Sequence, residues 1–165
     1  MEVRSHKVLD FFFSMRIEEE IKQSRFRNPH QKAVLNVIYT AGWLAARQKG
    51  FFREFGLTAR QFNALRILRG QYPKSISATD IRSRMLDKNS DVSRLLDRLA
   101  AKELIVRKAC EKDKRAADLF ITNKGLELLT QVDRHIYRID NIFTLSDDEA
   151  TQLSNLLDKC RSGDS

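Results

Sequence analysis

At 165 residues the chain is long enough for one domain with a buried core plus extra helices, and too short for two full domains. An apolar fraction of 42%, a charged fraction of 32%, six glycines and two prolines exclude a low-complexity or fibrous chain and predict long helices with short connections. The net charge of +8 is uneven, at +4 over residues 1–59, +7 over 60–120 and −3 over 121–165. A basic middle third suits a polyanion, because Lys and Arg that neutralise phosphates release condensed counterions, although a solvated basic face has the same composition.

The first apolar run, Val8 to Met15, is interrupted by Asp10 and followed by Arg16, Glu18, Glu19 and Glu20, which fits neither a signal peptide nor a membrane span. An amphipathic helix over roughly 8–23 is expected there. Val34, Val37, Ile38, Ala41, Leu44, Ala45, Phe51, Phe52 and Phe55 then lie on one face of a long helix starting near Pro29 and stopped by Gly56. Thr58 and Gln61 form a capping box for the next helix, which buries Phe62, Leu65 and Leu68 and closes at Gly70 and Pro73. Ser77 caps a short helix through Ile81 and Met85. After the turn Leu86-Asp87-Lys88, a helix over about 90–102 places Val92, Leu95, Leu96 and Leu99 inward.

Beyond Leu104 the period changes to two. LIVRKAC and LFIT read as the strands of a hairpin whose tip is the charged run EKDKRA. Thr122 caps a last long helix in which Leu126, Leu129, Val132, Ile136, Ile139 and Phe143 repeat at close to 3.5, a seam that calls for a helical partner. Ser146 and Glu149 open a closing helix with Leu153, Leu156 and Leu157. Three helices, a tight turn between the second and third, and a following hairpin are the element order of a winged helix-turn-helix. The fold class is therefore mainly α with a small antiparallel β wing and long N- and C-terminal dimerisation helices. Its expected parts are N-terminal helices over 1–57, a DNA-binding unit over 58–122 and C-terminal dimerisation helices over 123–165.

The helix from about Ser90 is the expected recognition helix, with Ser90, Asp91, Ser93, Arg94, Asp97 and Arg98 outward and of a width that enters a major groove. Ser90 and Ser93 can donate to phosphates or base edges, Arg94 suits guanine O6 and N7, and Arg98 and Lys88, with Asn89 beside it, suit the backbone. Asp91 can accept from a cytosine amine or orient Arg94, and Asp91, Arg94 and Arg98 also fit ordinary i, i+3 and i+4 pairs on a solvated helix. At the hairpin tip Arg115, beside Lys112 and Lys114 and braced by Asp113, suits a narrow minor groove, although a plain charged turn reads the same way.

From about Lys32 to Lys159 the chain resembles the MarR family of bacterial regulators. The resemblance lies in FGLTARQFNALRIL, SDVSRLLDRLAAKELIVRK, LSDDEATQLSNLLDK and the wing DKRAADLFITNKG. It implies a homodimer that binds pseudo-palindromic DNA with two recognition helices and two wings, half-sites one helical turn apart or a multiple of it. It also implies, as in many members, release of DNA by a small aromatic acid. That directs attention to Tyr39, Trp43, Phe51 and Phe52 as a candidate pocket, a stripe that core packing explains equally well. Leu129, Val132, Ile136, Ile139, Phe143, Leu153, Leu156 and Leu157 are the expected dimer contacts.

Two positions depart from the family pattern: Glu103 where glycine is frequent, and Asp118 where an arginine is. Cys110 and Cys160 have no CxxC spacing, and packing roles in a reducing cytoplasm are expected of both. The spacing of His6, His30 and His135 suggests no metal site, and no cofactor is expected. The chain carries no phosphate-cradling glycine loop, nucleophile elbow or HExxH helix, so a non-enzymatic protein is expected. The competing reading is an architectural DNA- or RNA-binding winged helix without sequence preference.

Overall fold

The computed structural model describes residues 16–109 and 117–162. In order, the elements are α1 (Ile17–Glu20), α2 (Pro29–Glu54), α3 (Ala59–Arg69), α4 (Ala78–Arg84), α5 (Val92–Ala101), β1 (Ile105–Ala109), β2 (Ala117–Ile121), α6 (Asn123–Asp133), α7 (Tyr137–Asp140) and α8 (Asp147–Arg161). The chain divides into two compact units whose boundary falls inside α2, between Arg47 and Gln48. No helix among the described residues is long and apolar enough to cross a membrane.

In the first unit, the Lys32 ammonium meets Glu18 at 2.5 Å and the Tyr39 hydroxyl donates to Glu20. Arg47 lies 5.3 Å over the Trp43 ring. Of the helix expected over roughly 8–23, Ile17–Glu20 is the described part.

The second unit holds one continuous core, in which α3, α4 and α5 contribute Leu65, Leu68, Ile81, Leu96 and Leu99, and α6 contributes Leu129 and Val132. Sequence chemistry sets the helix starts. Thr58 and Gln61 form the expected reciprocal capping box, as do Ser146 and Glu149, while Ser77 and Thr122 each accept the N–H three residues on. β1 and β2 pair antiparallel with Ile105 opposite Ile121. Ile76 adds an isolated bridge to Leu119, a third strand-like segment that the sequence reading omits. Single residues between helices leave no alternation to read.

Two glycine-related positions shape the start of the wing. Glu103, standing where the family favours glycine, takes φ +61°, the left-handed region that ends α5. Its carbonyl accepts the Thr122 hydroxyl at 2.8 Å and its carboxylate meets Lys124 at 2.7 Å. Gly125 lies so close to the start of β1 that a Cβ there would sit 2.4 Å from the Leu104 carbonyl oxygen.

The expected single long helix after Thr122 is instead α6 and α7, joined through Arg134–Ile136. At the junction the hydrogen bonds tighten to i→i+3, with His135 N–H on Val132 O at 2.9 Å and Arg138 N–H on His135 O at 3.0 Å. Ion pairs hold both sides of it: Asp133 takes Arg69 of α3 at 2.5 Å, and Arg138 grips Glu54 with two bonds of 2.8 and 2.9 Å. Leu126, Leu129 and Val132 before the junction and Ile136 and Ile139 after it still pack on one core. Leu129 and Val132, expected at a dimer contact, are fully enclosed by their own chain.

Candidate nucleic-acid interface

The first turn of α5 begins at Asp91, whose carboxylate accepts the Arg94 N–H at 3.2 Å and also meets the Arg94 guanidinium at 3.2 Å. One acid thus caps the helix and pairs with the arginine, a contact that fits both an oriented Arg94 and an ordinary i, i+3 pair on a solvated helix. Val92, Leu95, Leu96 and Leu99 are buried as expected, and Ser93, Arg94, Asp97 and Arg98 lie together on the exposed face.

Ser90 corrects the reading that set it outward. It is only 6% exposed and its hydroxyl has no hydrogen-bond partner among the described residues. The helix starts at Val92, so Ser90 belongs to the preceding turn, and the outward helical direction assigned to it does not apply. In that turn Lys88 and Asn89 are exposed and Asp87 is half-buried.

The turn between α4 and α5 is held from below. Asn63 of α3 accepts the Leu86 N–H at 3.0 Å, Arg60 meets Asp87 at 2.6 Å, and the Asp87 carboxylate accepts the Asn89 N–H at 3.0 Å. Leu86 is left 87% exposed at its apex. Such bracing fixes the entry of α5 relative to α3, which a base-reading helix needs.

The pairing of charges matters more than their number. Asp87, Asp91 and Asp97 each hold an arginine: Arg60, Arg94 and, at 2.7 Å across to the wing, Arg107. Arg107 lies two residues after the buried Ile105, on the same face of the strand, but is itself exposed. The period of two in β1 is the sequence signal for that position. Arg82, Arg84 and Arg98 have no ion pair among the described residues. Arg98 and Lys102 border a cleft of about 520 Å³ with Arg53. Across the ladder Asp118 lies opposite Lys108, whose ammonium is 5.1 Å from the Phe120 ring centre. The wing-tip candidates Asp113, Lys114 and Arg115, with Lys112 and Cys110, fall outside the described residues.

The candidate ligand residues fall into two environments. Phe51 and Phe52 are buried in the core, their ring centres 5.0 Å apart and Phe52 4.6 Å from Phe62, as the packing alternative expects. Tyr39 and Trp43 are half-buried in the first unit. Ile136 and Ile139 pack against the core from its edge, while Phe143, Leu153 and Leu156 are exposed and Leu157 is half-buried. Cys160, expected to pack, is exposed.

A trihelical unit with a braced turn, an exposed arginine-bearing third helix and a β wing tied to that helix defines a winged-helix DNA-binding protein. Comparison with known proteins gives the family. The family model described as "MarR family" matches residues 55–116. The chain is 34% identical over 109 residues to the uncharacterized HTH-type transcriptional regulator YkoM of Bacillus subtilis, covering 65% of this chain and 70% of that one. It is 31% identical over 109 residues to the regulator PecS of Dickeya dadantii, covering 64% and 66%. A MarR transcription factor from Planctomyces limnophilus superposes with a TM-score of 0.64 at 29% identity, over 81% of this chain and 98% of that one. The same fold, at lower identity, is seen in a mutant MarR from Escherichia coli complexed with operator DNA (TM-score 0.64, 22% identity, 78% and 96% covered). It is also seen in Bordetella bronchiseptica BpsR, described for regulation of its DNA binding by 6-hydroxynicotinic acid (0.63, 23%, 76% and 98%). The chain belongs to the MarR family: it is a DNA-binding transcription regulator and not an enzyme.

Proposed function

We propose that the protein binds a pseudo-palindromic operator as a homodimer and represses by occupying the promoter. The observation that carries this reading is the exposed face of α5, where Arg94 pairs with Asp91 through its Nε and Ser93 and Arg98 flank it, a guanidinium whose other nitrogens suit a bidentate guanine contact. Lys88 and Asn89, and at the wing tip Asp113, Lys114 and Arg115, complete the DNA surface in this reading. Residues 58–122 form the reading unit, and the segments 1–57 and 123–165 supply the dimer. Support for a dimer comes from Leu153 at 37% and Leu156 at 62% exposure on α8, with Phe143 and Leu157 nearby in sequence, apolar surface that a second copy would cover. Effector-linked release by a small aromatic acid is supported by the family and by BpsR; on this chain it leaves Tyr39 and Trp43, not Phe51 and Phe52, as the accessible aromatic residues.

The test is titration of the purified protein into a labelled duplex from upstream of its own gene and a shuffled duplex at several salt concentrations. The reading expects preference of roughly 10³ or more for one site at physiological salt, with a random-sequence selection supplying the site if the upstream duplex lacks it. Equal, steeply salt-dependent affinity for every duplex would favour the architectural reading instead.

A further inference from the structure

The open cleft of about 520 Å³ beside Arg98 lies where the end of α2, the start of α3 and the end of α5 meet, all within the second unit. Its apolar lining is aliphatic, from the buried Leu57 and from Ala101, and among the described residues no aromatic ring or carboxylate lines it. Three cations border it. Arg53 and Arg98 have no ion pair or side-chain hydrogen bond among the described residues, and the Lys102 ammonium gives one of its three donors to the Gly56 carbonyl. The acids next to them in sequence are engaged elsewhere: Glu54 holds Arg138 at 2.8 Å, Asp97 holds Arg107 at 2.7 Å and Glu103 holds Lys124 at 2.7 Å. The last turns of α2 and α5 each favour a cation, which accounts for the charges singly but not for their meeting around one floor.

Gln61 adds a directed donor. It lines the cleft, is 5% exposed, and accepts the Thr58 N–H on its side-chain oxygen at 3.0 Å, which leaves its amide Nε2 without a partner among the described residues. The N-terminus of α3, a helix of 11 residues, opens at the same place and favours an anion. A duplex phosphate does not match this set. It carries no apolar body to cover Leu57 and Ala101, and a rigid duplex does not reach an almost fully buried amide. A small free acid does both.

We propose that this cleft binds a short aliphatic carboxylate, its oxygens taken by Arg53, Lys102 and the Gln61 amide and its chain laid on Leu57 and Ala101. Arg98 closes the rim. The site shares no residue with the aromatic candidates Tyr39 and Trp43. Because Arg98 is also given to the DNA backbone, the acid and DNA compete for one guanidinium, and this consequence alone rests on the DNA-binding reading.

The experiment titrates the full chain, without DNA, with sodium hexanoate and follows the backbone amides by NMR, with hexanamide as the neutral isostere and inorganic phosphate as an oxyanion without a chain. Hexanoate is expected to shift the Gly56, Thr58 and Ala101 amides saturably, and the two controls to bind roughly tenfold more weakly or less. Arg53→Gln should weaken hexanoate roughly threefold or more. Gln61→Glu keeps the capping box but turns the donor into a carboxylate, and should weaken it roughly tenfold or more. No saturable shift at these amides, equal affinity for either control, or unchanged affinity in Arg53→Gln, an exposed position whose change spares the core, would overturn the proposal. In anisotropy titrations hexanoate should weaken the selected and the shuffled duplex alike. Hexanoate that binds while DNA affinity stays unchanged would overturn the shared use of Arg98 and not the site.

Discussion

Asp97 of α5 and Arg107 of β1 meet at 2.7 Å, so the recognition helix and the wing are joined by a charge pair as well as by packing. Both side chains are substantially exposed, and such a pair contributes about 0.2–1 kcal/mol to stability. Its larger effect is on charge: Asp97 offsets one cation on the surface that faces DNA. Asp97→Asn is expected to bind all duplexes more tightly with a steeper salt dependence, and to lose less than about 1 kcal/mol in urea unfolding. Weaker binding to every sequence would mean instead that the carboxylate is needed to place Arg107.

Gly125 and Glu103 make opposite predictions about glycine. At Gly125 a methyl group would meet the Leu104 carbonyl oxygen and lie 2.8 Å from an Ile121 side-chain carbon, so Gly125→Ala must push α6 off the wing. A loss of about 1–3 kcal/mol is expected in chemical denaturation. Glu103→Gly removes a side chain from a left-handed backbone at the cost of an exposed pair with Lys124, and should gain about 0.5–1 kcal/mol. A destabilised Glu103→Gly would show that the Lys124 pair outweighs the backbone effect.

Acid should weaken the fold in part through four carboxylates that are paired or capping in the folded chain. Glu18 is held below the ordinary range chiefly by Lys32, Glu54 by Arg138, Glu103 by Lys124, and Glu149 by the Ser146 N–H and then its hydroxyl. A carboxylate whose folded-state pKa is depressed stabilises fully above its unfolded value, near 4.3 for glutamate, and loses that contribution as pH falls through the folded value. Thermal midpoints should hold from pH 7 to about 5 and fall below about 4.5, with a shallower fall in Glu54→Gln. A midpoint indifferent to pH between about 5 and 3 would contradict these assignments.

Because Leu153 and Leu156 face solvent in the single chain, the double substitution Leu153→Glu, Leu156→Glu should spare its core. Sedimentation is expected to show a dimer for the wild type and a monomer with unchanged far-ultraviolet circular dichroism for the variant. A wild-type monomer, or a variant that still dimerises, would count against α8 as a dimer element.

The helix starts were legible because capping is local: Thr58 with Gln61 and Ser146 with Glu149 announce themselves at a spacing of three. The amphipathic face of α5 and the hairpin were legible from their periods. The division between α6 and α7 was not, because no Gly or Pro marks it. It is set by Asp133 reaching Arg69 and Arg138 reaching Glu54, partners 64 and 84 residues away in sequence. For the same reason periodicity could not tell Leu129 and Val132, which fill the chain's own core, from Leu156, which does not. Ser90 differs from its expected place because the helix starts two residues later, enough to turn it from the surface to the interior.

The central claim is that α5 reads sequence through Arg94, and the most direct measurement compares Arg94→Ala and Arg98→Ala on the selected duplex and on single-base variants of it. The account predicts that Arg94→Ala loses about 1–3 kcal/mol of discrimination at one base position, while Arg98→Ala weakens all duplexes alike. Equal losses from Arg94→Ala on selected and shuffled DNA would contradict it and place Arg94 among the phosphate contacts.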